Sequence, residues 1–427
     1  MGTPSPRDQT PLPAWAQRLL DRHPEADLPS PEDPMPRWLE EELRRAPLWM
    51  HIRGSEADPR FSPPYHLIED IRDEPELLRG TLGLRDRVGG LVESYLKRGI
   101  ERVIFTGAGS AYYTSVLAAF VFGQLVDGID AQAIESWEFR NYFRASIPRS
   151  LLVAQSATGG SFEVVEAARH ARELGMETLA ITNTPDSPLE WEVDETIVFP
   201  APQKTGPDIS VIPTRLMLTY LLAFAWAKEC PRHDADVATL ERQLMEIPDI
   251  ADRMISRSDA ALTALAGRYA TQNALLIVGG GPNWFSALEA GLKIEEESST
   301  PCRAYTPGDY HHMAISLLRP ERPTLAFAVA GASYDRTVTC LKTARAAGSP
   351  AIGVIFEDDE GARNVADEVI EIPGRVDELL VAPLSTILGQ LYGHSLGLAK
   401  GFNPDCLGTN DLDHARAWLV SFPFGSH

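Results

Sequence analysis

The chain has 427 residues, is 44% hydrophobic, and carries a formal net charge of −21. That length accommodates two domains with cores of their own. The charge excludes nucleic acid and anionic membranes as general partners, so an anionic ligand must be held by local donors rather than by a positive field. The four cysteines, Cys230, Cys302, Cys340 and Cys406, form no C-x-x-C pair, which fits a reducing compartment, and no metal site or cofactor is expected. No apolar run reaches the ~18 residues of a membrane span, and the first residues lack a secretory pattern. A soluble, cytoplasmic protein is expected.

Residues 1–64 hold 13 of the 33 prolines together with Trp15, Trp38 and Trp49. This composition predicts an extended arm with one short helix near 37–45, lying against the body or a second subunit. A helix is expected to start at 66–80. The arm and this lead-in helix occupy 1–84, a first α/β unit 85–235, and a second unit 236–400 with its linking and C-terminal helices. One long apolar helix is expected over 377–400. The Gly/Pro-rich tail 401–427 is placed to drape over a site.

Two landmarks make the units a tandem repeat. Val103-Ile104-Phe105-Thr106-Gly107-Ala108-Gly109 matches Leu275-Leu276-Ile277-Val278-Gly279-Gly280-Gly281. Ala171-Arg172-Glu173-Leu174-Gly175 matches Ala344-Arg345-Ala346-Ala347-Gly348 at nearly the same offset. Apolar runs alternating with amphipathic helices, as in 162–174 ending at Gly175, predict parallel sheets with crossover helices.

Ser156-Ala157-Thr158-Gly159-Gly160-Ser161 joins an apolar run, 151–154, to a helical pattern opening at Phe162. Ser156, Thr158 and Ser161 offer hydroxyl donors, Gly159 permits close backbone approach, and the helix N-terminus adds partial positive charge: an oxyanion site. The alternative is that Ser161 only caps the helix. In the second unit the equivalent positions are Val329, Gly331 and Tyr334, so that loop is expected to bind no anion. It carries instead a titratable cluster between Glu289 and His312. The turn Gly107-Ala108-Gly109-Ser110-Ala111-Tyr112 fails the dinucleotide fingerprint, because Tyr112 stands at the third glycine position. Gly109 and Ser110 are expected near the ligand, with Ser110 a candidate anion donor.

Together these motifs resemble the SIS (sugar isomerase) domain family, in particular the isomerase half of glucosamine-6-phosphate synthase and the tagatose/galactosamine-6-phosphate isomerase–deaminase group. The motifs that carry the resemblance are Ser156-x-Thr158-Gly159-x-Ser161-x-Glu163, Ala287-Leu288-Glu289-Ala290-Gly291-Leu292-Lys293-Ile294-Glu295-Glu296, Gly308-Asp309-Tyr310-His311-His312 and Asp208-Ile209-Ser210-Val211. The resemblance implies two flavodoxin-like three-layer α/β/α units and aldose–ketose chemistry on a six-carbon sugar with an anionic C6 group. It places the proton-shuttling carboxylate at Glu296 and the ring-opening histidine at His312, which would reach a site in a partner subunit of a dimer or larger assembly. Val211 would lie beside the substrate. Lys293 would orient Glu296 or contact an open-chain oxygen.

Spacing is compatible with these roles, since Glu289, Lys293 and Glu296 share a helix face. A solvated Glu–Lys ladder has the same spacing, and His311 competes with His312. Glu138 would line the site or pack. The resemblance departs at Ala111 and Ala157, which remove donors to the anion, and at Arg416, which stands where a lysine takes part in ring opening. Arginine is too basic for a Schiff base. No glutaminase-like segment precedes the units here, so ammonia production from glutamine is not expected. The alternatives are an aminosugar-phosphate deaminase or sugar–amine deglycase, an isomerase of a sulfonated hexose, and a sugar-phosphate sensor without catalysis.

Overall fold

A computed structural model describes residues 14–26, 34–53, 57–145, 147–202, 204–233 and 235–421. The first unit contains β1 (Arg102–Thr106), β2 (Asp130–Ala133), β3 (Ser150–Gln155), β4 (Glu177–Thr182) and β5 (Glu195–Val198), ordered β2-β1-β3-β4-β5. The second contains β6 (Leu275–Val278), β7 (Cys302–Tyr305), β8 (Thr324–Phe327), β9 (Ala351–Phe356) and β10 (Glu368–Ile372), ordered β10-β9-β8-β6-β7. Read from the opposite edge, the second order is the first. All pairings are parallel. The two halves are therefore the same doubly wound three-layer unit, and the tandem repeat is real.

Apolar runs make these strands because both faces of a parallel sheet are covered. β3 and β9 are buried at every position. Alternate residues serve different layers: Leu151 and Val153 join the main core, whereas Leu152 and Ala154 pack under helix Phe162–Glu173. The main core is continuous across both units, through helices Val211–Glu229, Val237–Tyr269 and Ala382–Lys400.

Helix Asn283–Ser298, which carries Glu289, Lys293 and Glu296, lies against Ala382–Lys400 unusually closely. A Cβ at Gly389 would meet Ala290 at 2.9 Å, one at Gly393 the Glu297 carboxylate at 2.5 Å, and one at Gly397 the Glu297 carbonyl at 2.3 Å. This glycine stripe, one residue per turn, fixes the depth and rotation of the acidic helix.

Three local expectations are revised. The arm holds three helices among its described residues, Ala14–Arg22, Arg37–Arg45 and Leu48–Arg53, rather than one. Prolines lie between these helices, where they terminate rather than break them. The proline-rich segments 1–13 and 27–33 lie outside the described residues. The expected helix 377–400 divides into a 3₁₀ turn, Glu378–Leu380, and an α-helix from Ala382, with Pro383 in its first turn, where a missing N–H costs nothing. The linking helix, expected over 236–265, runs longer, Val237–Tyr269, and contains Pro248.

The described parts of the arm and of the tail meet. Leu19, Leu39, Leu43 and Leu48 from the arm share a small core with Ala415 and Leu419 of helix Leu412–Ser421. Asp405 fastens the tail to the body, accepting the backbone N–H groups of His66 (2.9 Å) and Leu67 (2.8 Å). Among the described residues no helix is long and apolar enough to cross a membrane.

Candidate active site

A cavity of about 180 Å³ lies at the carboxyl end of β3, where open parallel sheets place their ligands. Its floor is Gln155, Ser156, Ala157, Thr158 and Ser161, with Val164 from the following helix and Ala108 and Ala111 from the turn after β1. Gly206 and Asp208 form one side. The roof comes from the chain ends: Leu48, Trp49 and Ile52 from the arm, and Leu407, Thr409 and Trp418 from the tail.

The loop is held in shape by its own hydroxyls. Ser156 Oγ accepts the Gly159 N–H at 3.1 Å, and Thr158 Oγ1 accepts the Gly160 N–H at 3.1 Å. Gly159 has φ of +62°, and a Cβ there would meet Ser187 Oγ at 2.1 Å. Ser161 occupies the N-cap position of helix Phe162–Glu173 but makes no side-chain cap hydrogen bond. Its Oγ lies 3.1 Å from Ser156 Oγ instead. Simple capping does not describe Ser161; its hydroxyl belongs to the loop.

The equivalent loop in the second unit is filled from within. Glu378 Oε1 accepts the Ala332 N–H at 3.0 Å, and a Cβ at Gly331 would fall 1.9 Å from Glu378 Oε2. A carboxylate of the chain occupies the helix N-terminus where the first unit presents hydroxyls.

Glu289, Lys293 and Glu296 sit together on helix Asn283–Ser298 and are not among the residues lining the cavity. Lys293 Nζ donates to Glu296 Oε2 at 2.6 Å and lies 3.7 Å from Glu289 Oε1. Burial opposes the lysine's charge, but Glu296, Glu289 and Asp208 more than offset it and raise its pKa. Lys293 is thus a cation whose tight partner is Glu296. Glu289 is fully buried, and burial pushes its carboxyl up to about 7 against the pull of Lys293. Its Oε1 accepts the Ser110 hydroxyl at 2.9 Å. Two links join this cluster to the cavity: Ser110 stands beside Ala111, and Asp208 acts on Lys293 while lining the cavity.

Of the neighbouring acids, Glu295 is exposed and accepts the Cys302 N–H at 2.8 Å. Glu297 is completely buried against Gly393, and burial drives its pKa well above the usual carboxylate range.

Other expected site residues lie elsewhere. Ser110 hydrogen-bonds Glu289 rather than joining the cradle. Gly109, with φ of +56°, opens helix Ser110–Leu125 but is not in the lining, and Val211 is buried in the core behind Asp208. Arg416 is exposed and outside the cavity; Trp418, two residues on, lines it. His312 is exposed on a single π turn, Tyr310–Ala314, of the second unit and does not line the cavity of its own chain. His311 turns inward, with Nε2 3.4 Å from Cys340 Sγ, and burial lowers its pKa. Glu138 is exposed on helix Ser136–Tyr142.

Paired doubly wound units with a hydroxyl- and glycine-rich loop at the end of a central strand define a two-unit α/β protein. Residues 98–225 match the SIS domain model, so the first unit is a SIS domain. Over 376 residues the chain is 27% identical to the glutamine–fructose-6-phosphate aminotransferase (isomerizing) of Gloeobacter violaceus, an alignment covering 85% of this chain and 60% of that protein. The chain thus spans little more than half the length of the curated relatives it matches. The C-terminal domain of the Francisella tularensis glucosamine-fructose-6-phosphate aminotransferase superposes with a TM-score of 0.71 at 19% identity, covering 80% of this chain and 98% of that one. Tagatose-6-phosphate ketose/aldose isomerase from Escherichia coli gives 0.66 at 18% identity, covering 82% and 98%. Over about four-fifths of its length the chain shares the fold of these two proteins.

Proposed function

We propose that the protein is an aldose–ketose isomerase acting on a six-carbon sugar with an anionic group at C6, most simply a phosphate. The observation that carries this reading is the cavity floored by Ser156, Thr158 and Ser161 and bordered by Asp208, whose charge reaches the Glu289–Lys293–Glu296 cluster. The similarity to proteins named for fructose-6-phosphate and tagatose-6-phosphate supports the same substrate class.

In this reading the hydroxyls and loop N–H groups hold the anion, with the helix N-terminus favouring its charge. Glu296 takes the proton from one of C1 and C2 and returns it to the other through an enediol. Lys293, donating at 2.6 Å, orients the Glu296 carboxylate. Because His312 is exposed on its own subunit, ring opening by that residue requires it to enter a partner's cavity, and the active form is then a dimer or larger. Leu48, Trp49, Ile52, Leu407 and Trp418 keep water from the enediol.

Asp208 favours a second reading, since a carboxylate beside the sugar suits an amine: an aminosugar-phosphate deaminase or a deglycase reusing the same C1–C2 proton transfer. Incubation in deuterated water with hexose phosphates, aminosugar phosphates and sulfonated hexoses, read by NMR, tests both. Deuterium at C1 or C2 of a hexose phosphate supports the isomerase, and ammonia release the deaminase. Binding without exchange in any member would overturn both readings in favour of a sensor.

A further inference from the structure

We propose that Gln155 is a specificity-determining residue whose side-chain oxygen accepts a hydrogen bond from a sugar hydroxyl next to the anion. The inference rests on the sugar-phosphate reading above and goes on to name which part of the substrate the cavity selects. Gln155 ends β3 after the apolar run Leu151–Ala154, is 1% exposed, and lines the cavity immediately before the anion loop.

The neighbours fix the orientation of its amide. Gln155 Nε2 lies 2.9 Å from Ser115 Oγ. Ser115 donates its single hydroxyl hydrogen to the Ala111 carbonyl at 2.9 Å, so toward Gln155 it can only accept. The nitrogen must therefore face helix Ser110–Leu125, which leaves Oε1 as the group not used by that helix. This oxygen is buried and has no hydrogen-bond partner among the described residues.

A buried acceptor without a donor costs about 1–3 kcal/mol, and the four residues before it, Leu151–Ala154, are apolar and carry no such cost. A ligand with an O–H or N–H at that point recovers the penalty, and an analogue lacking the group leaves it standing. Sites of this kind discriminate strongly against the missing hydroxyl. The adjacent cradle fixes the anion, so the donor sits on a carbon close to the one bearing the anionic group.

Calorimetric titration with glucose 6-phosphate and fructose 6-phosphate, each alongside its monodeoxy analogues, tests this on the full chain. In the wild type, one deoxy position should weaken binding by about tenfold or more. In Gln155→Met, nearly the same length, the parent sugar should weaken by a similar factor and the deoxy penalty should vanish. Gln155→Asn, which withdraws the oxygen by one methylene, should behave likewise and serves if the Met variant does not fold. Tight binding by the wild type with no deoxy penalty, or with a penalty both variants retain, overturns the role of Gln155 and leaves the sugar-phosphate reading intact. Failure of the wild type to bind any of these sugars overturns both.

Discussion

Replacing Glu289 by glutamine isolates the energetic cost of one buried acid. In the folded chain its carboxyl titrates at about 7 against an ordinary value of 4.5, because burial disfavours the anion more than Lys293 and Ser110 favour it. A folded-state pKa raised in this way contributes stability that is complete below pH 4.5 and is lost as the pH rises through 7. The shift corresponds to about 3 kcal/mol lost between acidic and mildly alkaline pH. Glutamine keeps an oxygen to accept the Ser110 hydroxyl but cannot ionise. Urea unfolding of wild type and Glu289→Gln at pH 5 and pH 8, at one protein concentration, measures the difference. The variant should gain on the wild type by about 2–3 kcal/mol on going from pH 5 to pH 8. A difference independent of pH would refute the placement of Glu289 as a buried, largely protonated acid.

Ser156→Ala and Thr158→Ala should each raise KM about tenfold with kcat little changed, since each removes a donor to an anion bound equally in ground and transition states. Gly159→Ala should abolish anion affinity in a phosphate titration, because its Cβ would fall 2.1 Å from Ser187 Oγ at a φ of +62°. Trp49→Ala opens the roof and should lower kcat/KM by about tenfold or more, whereas alanine at Trp191, 61% exposed and outside the cavity, should leave it unchanged.

The doubled fold was legible because its signal is redundant: two landmarks, around Gly107/Gly279 and Gly175/Gly348, give the same offset, and parallel strands buried on both faces read as plain apolar runs. The strand-to-helix turn at 156–161 was legible for a related reason, since hydroxyls and glycines crowd where an apolar run gives way to a helical pattern. Less was legible about depth. Glu295, Glu296 and Glu297 are identical letters, yet one is exposed, one half-buried and one wholly buried. That choice is made by glycines a hundred residues later on helix Ala382–Lys400. The arm's share of the roof, Leu48, Trp49 and Ile52, was hidden because it meets the tail from the far end of the chain, past the one arm helix the sequence suggested near 37–45. The loss of hydroxyls at Val329, Gly331 and Tyr334 was visible, but not that Glu378 fills the space. Gln155 did leave a local trace, a polar residue closing an apolar strand.

The claim on which the functional reading turns is that the cradle at 156–161 and the carboxylate at 296 act on one bound sugar. Deuterium exchange at C1 and C2 of a bound hexose phosphate, followed by NMR in Glu296→Gln beside the wild type, tests it directly. The expected result is loss of exchange in Glu296→Gln with phosphate-dependent binding kept. Exchange continuing at the wild-type rate in that variant would contradict it.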